Sequence, residues 1–263
     1  MTPSLPADIL SQMKPSTLKR FNAYTATVES QLEKRWAGHG PFLEIDASQS
    51  DRTAVLNGEN AIRSVTGDDP LAIRNGLIHD WVGSVFIPKA TPADVIAVLQ
   101  DFDRHKRIYP EVIDSKLLKR NGETIDGYWR LEQRHVVTID FDVYQQAHYE
   151  KLGAGKWACR AYTRQISEIE DPRGHWEHRF PDGQGHGYLW RLYAYWSIEP
   201  AANGTLAECR TISLSRDIPP FFGFLIKPFI QQMPRESLSS TLRDTRKAAL
   251  AIAENSPKAS PPA

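Results

Sequence analysis

Only two cysteines occur in the 263 residues, Cys159 and Cys209. That excludes a disulfide-dense scaffold. No CxxC and no Cys/His spacing of a zinc site is present, and HEXXH is absent. GxSxG, P-loop and GxGxxG patterns are absent too, so serine or phosphate-based chemistry has no support. The formal net charge is +0, which leaves no one-sign field for nucleic acid or an anionic membrane. No nucleic-acid partner is expected. No apolar run approaches the roughly 18–20 residues that span a bilayer, so no integral membrane span is expected. Residues 1–16, MTPSLPADILSQMKPS, lack the apolar core of a signal peptide. As written the chain is expected in the cytoplasm, or outside it if a signal segment precedes Met1.

What is present is an aromatic-rich globular chain, with seven Trp, nine Tyr and ten Phe. Leu18, Phe21, Tyr24, Val28 and Leu32 recur at helical spacing, predicting a helix over residues 17–36 capped by Ser16 or Thr17. Residues 37–75 mix Gly, Asp, Ser and Pro with short apolar runs. Residues 1–75 therefore read as an extension packed on a main domain, residues 76–253. A strand-like run ends at Pro88, and Thr91-Pro92 starts a short helix. Strands follow over 113–120 and 125–133, turned at Asn121-Gly122, and over 136–149, 157–169, 188–198 and 206–216. Residues 171–187 read as a long polar loop. The spacing favours an antiparallel meander. From Pro219 the pattern is helical, with Pro228 and Pro234 expected to bend or restart it. Residues 254–263 read as a disordered tail. The two cysteines fall on strands separated by a third, too far apart for a disulfide.

The strand ending at Ile87-Pro88, the run TPADVIAVLQDFDRHKRIYPEV and the final SRDIPPFFGFLIKPFIQQMPRESL together resemble the START-like superfamily, also called SRPBCC or the helix-grip fold. Val95, Asp101, Phe102, Asp103, Tyr109, Pro110 and Val112 carry the likeness. The resemblance implies an α+β fold, in which a curved antiparallel sheet of about seven strands wraps around a long C-terminal helix. It also implies a cavity between sheet and helix for a lipid, isoprenoid or polyketide-like molecule. Some such proteins are cyclases or dehydratases and others only carry ligands, so fold does not settle function. A hydrophobic small molecule bound without catalysis is the expected partner. The alternatives are a polyketide cyclase/dehydratase-like enzyme and a protein-interaction domain with a collapsed cavity.

Period-2 alternation selects the wall of such a cavity. Trp190, Leu192, Ala194, Trp196 and Ile198 share one side of their strand. Phe141 lies with Ile139 and Val143, Trp81 with His79, Gly83, Val85 and Ile87, and Leu131 on the preceding hairpin. Cys209, Thr211, Ser213 and Ser215 are small and leave room. Phe229 and Met233 supply the final helix. The expected ligand-binding set is thus Trp81, Leu131, Phe141, Trp190, Leu192, Ala194, Trp196, Phe229 and Met233. Glu208, Arg210 and Arg216 point the other way, where burial without partners would be costly. Arg160, Arg164, Arg191 and Tyr162 read as a solvated outer face. His79, Asp80, His135, Asp140, His148, His175, His178 and His186 are the candidate acid/base groups, but no spacing unites two of them. No catalytic residue, metal ligand or cofactor is assigned.

Overall fold

The computed structural model describes residues 10–67, 69–134, 138–217 and 223–255, with side chains at all of these except 134 and 223–232. In chain order the elements are β1 (Ser11–Gln12), α1 (Pro15–Trp36), α2 (Gln49–Leu56), β2 (Ala61–Ser64), β3 (Leu71–Ile73), β4 (Gly76–Pro88), α3 (Pro92–Gln100), α4 (His105–Ile108), β5 (Val112–Asn121), β6 (Thr124–Arg134), β7 (Thr138–Lys151), β8 (Trp157–Glu170), β9 (His178–Arg179), β10 (Gln184–Gly185), β11 (Arg191–Ala201), β12 (Gly204–Ser215) and α5 (Gly223–Asn255).

The backbone of the fold is the antiparallel order β4-β12-β11-β8-β7-β6-β5. Around it the sheet grows to ten strands, more than the expected seven, because β2 and β3 pair with β4 and β9 pairs with β8. The extension thus contributes strands to the sheet edge, and the polar loop contributes another. Two-residue turns close both hairpins that the sequence marks, with Gly122 and Asn203 in the left-handed region at φ 57° and 62°. Thr91 and Asp94 form a reciprocal cap on α3, with the Thr91 N–H donating to Asp94 Oδ2 at 2.7 Å.

The final helix, α5, lies across the inner face of the sheet in the helix-grip arrangement. It is continuous through Pro228 and Pro234, where the sequence predicts a bend or restart. Leu238 and Leu242 seat directly on β4 at Gly83, where an added Cβ would stand 2.6 Å from Leu242. The expected start near Pro219 and the tail over 256–263 lie outside the described residues. Among those described, no helix is long and apolar enough to cross a membrane.

The outer face of the sheet is covered over β4, β12 and β11, while Arg164 on β8 stays exposed as expected. Helix α1 begins at Pro15, two residues ahead of the expected start, and neither Ser16 nor Thr17 caps it. It buries Phe21, Val28 and Leu32 against Ile78, Tyr195, Ile212 and Leu214. Phe21 meets Tyr193 edge-on at 5.1 Å, Tyr195 donates to Glu29, and Arg160 lies over the Trp36 ring at 4.6 Å. The outward charges are buried with partners. Arg210 grips Asp80 with Nε at 2.9 Å and Nη2 at 2.6 Å, and Tyr24 donates to the same carboxylate. Glu208 accepts from Arg35, Ser84 and the Glu44 N–H. Alternation sorted the two faces correctly there, but periodicity cannot show that a helix from a distant segment covers the second one.

Candidate functional site

The inner face of the sheet is built in transverse rows. One row runs Trp81, Thr211, Ala194, Ala161, Ala147 from β4 across β12, β11 and β8 to β7. The next runs Gly83, Cys209, Trp196, Cys159, Tyr149. The row on the other side contains Ser213 and Leu192, and the pair Thr163 and Gln145. Thr211, Ala194 and Ala161 are too short to reach α5, so a hollow remains over them. Trp196 bounds it on one side. Leu131 and Phe141 wall it farther along, and Met233, Pro234 and Leu238 of α5 close it. The cavity volume is about 150 Å³. On the β4 side there is no such space, because the helix seats on Gly83.

Six of the nine expected wall residues line this cavity: Leu131, Phe141, Leu192, Ala194, Trp196 and Met233. The structure does not bring the others there. Trp81 faces inward but packs against the main core, beside the point where α5 meets β4. Trp190 precedes the first residue of β11, so strand alternation does not govern it. It packs on the outer side with Phe21, Ile78 and Leu214. Phe229 lies outside the residues whose side chains are described. The two cysteines stand on β8 and β12 with β11 between them, both free and both at the cavity wall. Burial pushes the Cys159 thiol up to about 12 and raises Cys209 well above its ordinary value.

The polar groups of the wall are mostly engaged. His105 is buried between Phe102 and Trp129, and its Nδ1 accepts from Trp129 Nε1 at 2.9 Å. Its Nε2 is therefore the protonated nitrogen and donates to the Val98 carbonyl at 3.0 Å. Burial lowers its pKa to about 4, so the ring is neutral with no free lone pair for proton abstraction. Tyr149 donates to the Leu99 carbonyl and Tyr109 pairs with Thr245. Glu111 accepts from Ser237 at 3.1 Å and from Ser240 at 2.6 Å. Among the described residues lining the cavity there is no Lys or Arg.

The remaining candidate acid/base groups are dispersed. His79 bonds Ser215, and burial alone lowers it to about 4. His148 bonds Thr124 at the surface. His186 sits 2.5 Å from Glu168, whose carboxylate also accepts the His186 and Gly187 N–H groups. Asp80 is held by Arg210. Asp140 is held by Arg130 under the polar loop, and burial raises its pKa. His175 and His178 are exposed, and the described residues hold no cluster of three metal-ligating side chains. His135 lies outside the described residues. His105, Glu111, Trp129, Gln145 and Tyr149 were missed as wall residues. The inner series of β7 could have found two of them, because it continues Ile139, Phe141, Val143 to Gln145, Ala147 and Tyr149.

No protein-family model matches the chain, and no curated protein matches it. Solved structures do. A STAR-related lipid transfer protein fragment from Xanthomonas axonopodis is 19% identical, over 68% of this chain and 96% of that one, with a TM-score of 0.48. A START superfamily protein from Mycobacterium smegmatis is 13% identical, over 69% and 98%, with a TM-score of 0.40. The Zhui aromatase/cyclase from Streptomyces sp. R1128 is 12% identical, over 67% and 94%, also at 0.40.

Proposed function

We propose that this helix-grip chain of START-like architecture binds or carries a small hydrophobic molecule in the hollow beneath α5, without turning it over. One observation carries the reading: a row of short side chains leaves about 150 Å³ open between an otherwise well-packed sheet and its helix. An apolar space of about 150 Å³ takes up benzene-sized molecules, and sites for drug-sized ligands run to about 300–1,000 Å³. The fitting ligand is therefore ring-sized, or one such portion of a longer isoprenoid or polyketide-like molecule. It is uncharged, because the described wall offers no Lys or Arg as counter-ion and an unpaired buried charge is costly. Binding is favoured over turnover because the His105 lone pair, the Glu111 carboxylate and the Tyr149 hydroxyl already have partners in the fold.

The test fills the hollow at its centre with Ala194→Trp and measures toluene binding by calorimetry. If the space is a ligand site, the variant folds with stability near the parent and loses toluene. If the variant unfolds, the space was already packed, since overpacking a filled core costs about 1–3 kcal/mol or more. If it folds and binds toluene as before, the site is elsewhere. Either of the last two outcomes refutes the proposal.

A further inference from the structure

Gln145 is an amide in an apolar series. On the inner side of β7 it stands between Val143 and Ala147, lines the cavity and is 8% exposed. Its side chain makes no hydrogen bond among the described residues. Its amide is not among the fully enclosed unpartnered groups, so it meets the cavity space rather than packed protein.

Its described strand neighbours do not relieve it. On β6 it faces Gly127, which has no side chain and leaves the space to the Phe102 ring. On β8 it faces Thr163, whose Oγ1 is turned to the Leu192 N–H at 3.1 Å and makes no bond to the amide. Ser213, another wall hydroxyl with no partner, stands three strands away across the sheet, roughly 14 Å at ordinary strand spacing. Among the described residues, the open direction is the cavity. An amide offers both a donor and an acceptor, and the described wall holds no Lys or Arg to accompany an anion.

We infer that Gln145 is a specificity-determining residue, hydrogen-bonding a neutral carbonyl or hydroxyl on an otherwise apolar, ring-sized ligand. This rests on the cavity being a ligand site. It divides candidate ligands sharply: a plain hydrocarbon ring leaves the amide unpaired, whereas a phenol, a cyclic alcohol or a ketone satisfies it.

The test compares phenol and toluene, near-isosteres that differ by hydroxyl for methyl. Calorimetry gives both dissociation constants for the parent chain and for Gln145→Met, which conserves volume. Gln145→Leu serves as a second variant, and near-ultraviolet circular dichroism checks the fold of each. The expected result is that phenol weakens about tenfold relative to toluene in the variants, toluene binding as well as before or better. The variants without ligand should melt near the parent, since Gln145 makes no side-chain hydrogen bond among the described residues that they would break. If phenol and toluene change in parallel, or neither changes, the amide does not read the ligand; the inference falls while the ligand-site reading stands. If neither probe binds the parent chain, the ligand-site reading itself fails and takes the inference with it.

Discussion

Removing the Asp80 carboxylate should destabilise this fold strongly. Asp80 is fully buried on the outer face of β4. It accepts two bonds from Arg210, at 2.9 and 2.6 Å, and a third from the Tyr24 hydroxyl at 2.7 Å. Arg210 is itself buried, and its remaining carboxylate partner is Glu44 at 3.2 Å, which also serves Arg35 and Arg63. Asp80→Ala therefore strands a buried guanidinium and a phenolic hydroxyl together. Breaking a buried ion pair from one side costs about 3–5 kcal/mol, and the orphaned hydroxyl adds to that. That is a large fraction of the roughly 5–15 kcal/mol that holds a typical domain folded. Urea unfolding followed by tryptophan fluorescence reads it as a lower midpoint at unchanged slope. The triple variant Asp80→Leu, Arg210→Met, Tyr24→Phe removes the whole constellation and should recover most of the loss, because apolar replacements of similar volume are often neutral. A single variant that loses less than about 1 kcal/mol would refute the reasoning, since the pair would then behave as a solvent-screened one. So would a triple variant as unstable as the single.

Two further outcomes follow from buried groups. His79 and His105 are both lowered to about 4 by burial, against 6.5 in the unfolded chain. As pH falls below 6.5 the unfolded chain takes up these protons first, so their contribution is full above pH 6.5 and is lost as pH drops toward 4. With two protons involved, the slope approaches about 2.7 kcal/mol per pH unit inside that window. Imidazole resonances of either residue titrating near 6.5 in the folded protein would contradict this. Cys159 and Cys209 should resist a thiol-specific reagent at pH 8 in the native state and both react in urea, because the thiolate is the reactive form and burial disfavours it. Rapid labelling of one thiol in the folded chain would show that the wall at Trp196 is open to water.

The inner face was legible because apolar and polar residues alternate in the sequence of β7, Ile139, Phe141 and Val143 against Thr138, Asp140 and Asp142. The turns at Asn121-Gly122 and Asn203-Gly204, and the inner series from Leu192 to Trp196, come straight from residue order. What was not legible depends on which distant segment covers which face. Arg160, Arg191 and Tyr162 read from their strands as a solvated side, yet Arg191 is buried and the other two are half-buried, because nothing local reveals what covers that face. Trp190 has the right parity for the cavity, yet it precedes the strand and turns outward. Gln145 has the right parity too, and was passed over because an amide is not counted in an apolar pattern. Pro228 and Pro234 break a helix by local rules, yet α5 runs through both, and its seat on Gly83 is a tertiary contact that no window of sequence contains.

The hollow exists because side chains are missing from one row of an intact sheet, and that makes its size separable from the fold. Exchanging Ala161, Ala194 or Thr211 for Val or Leu would shrink the space in steps of a methyl or two. The reverse changes at Leu192 or Phe141 would enlarge it. None of these alters a strand hydrogen bond. A lineage carrying this scaffold can therefore resize the hollow by single substitutions, while the layer that holds the sheet from outside stays untouched.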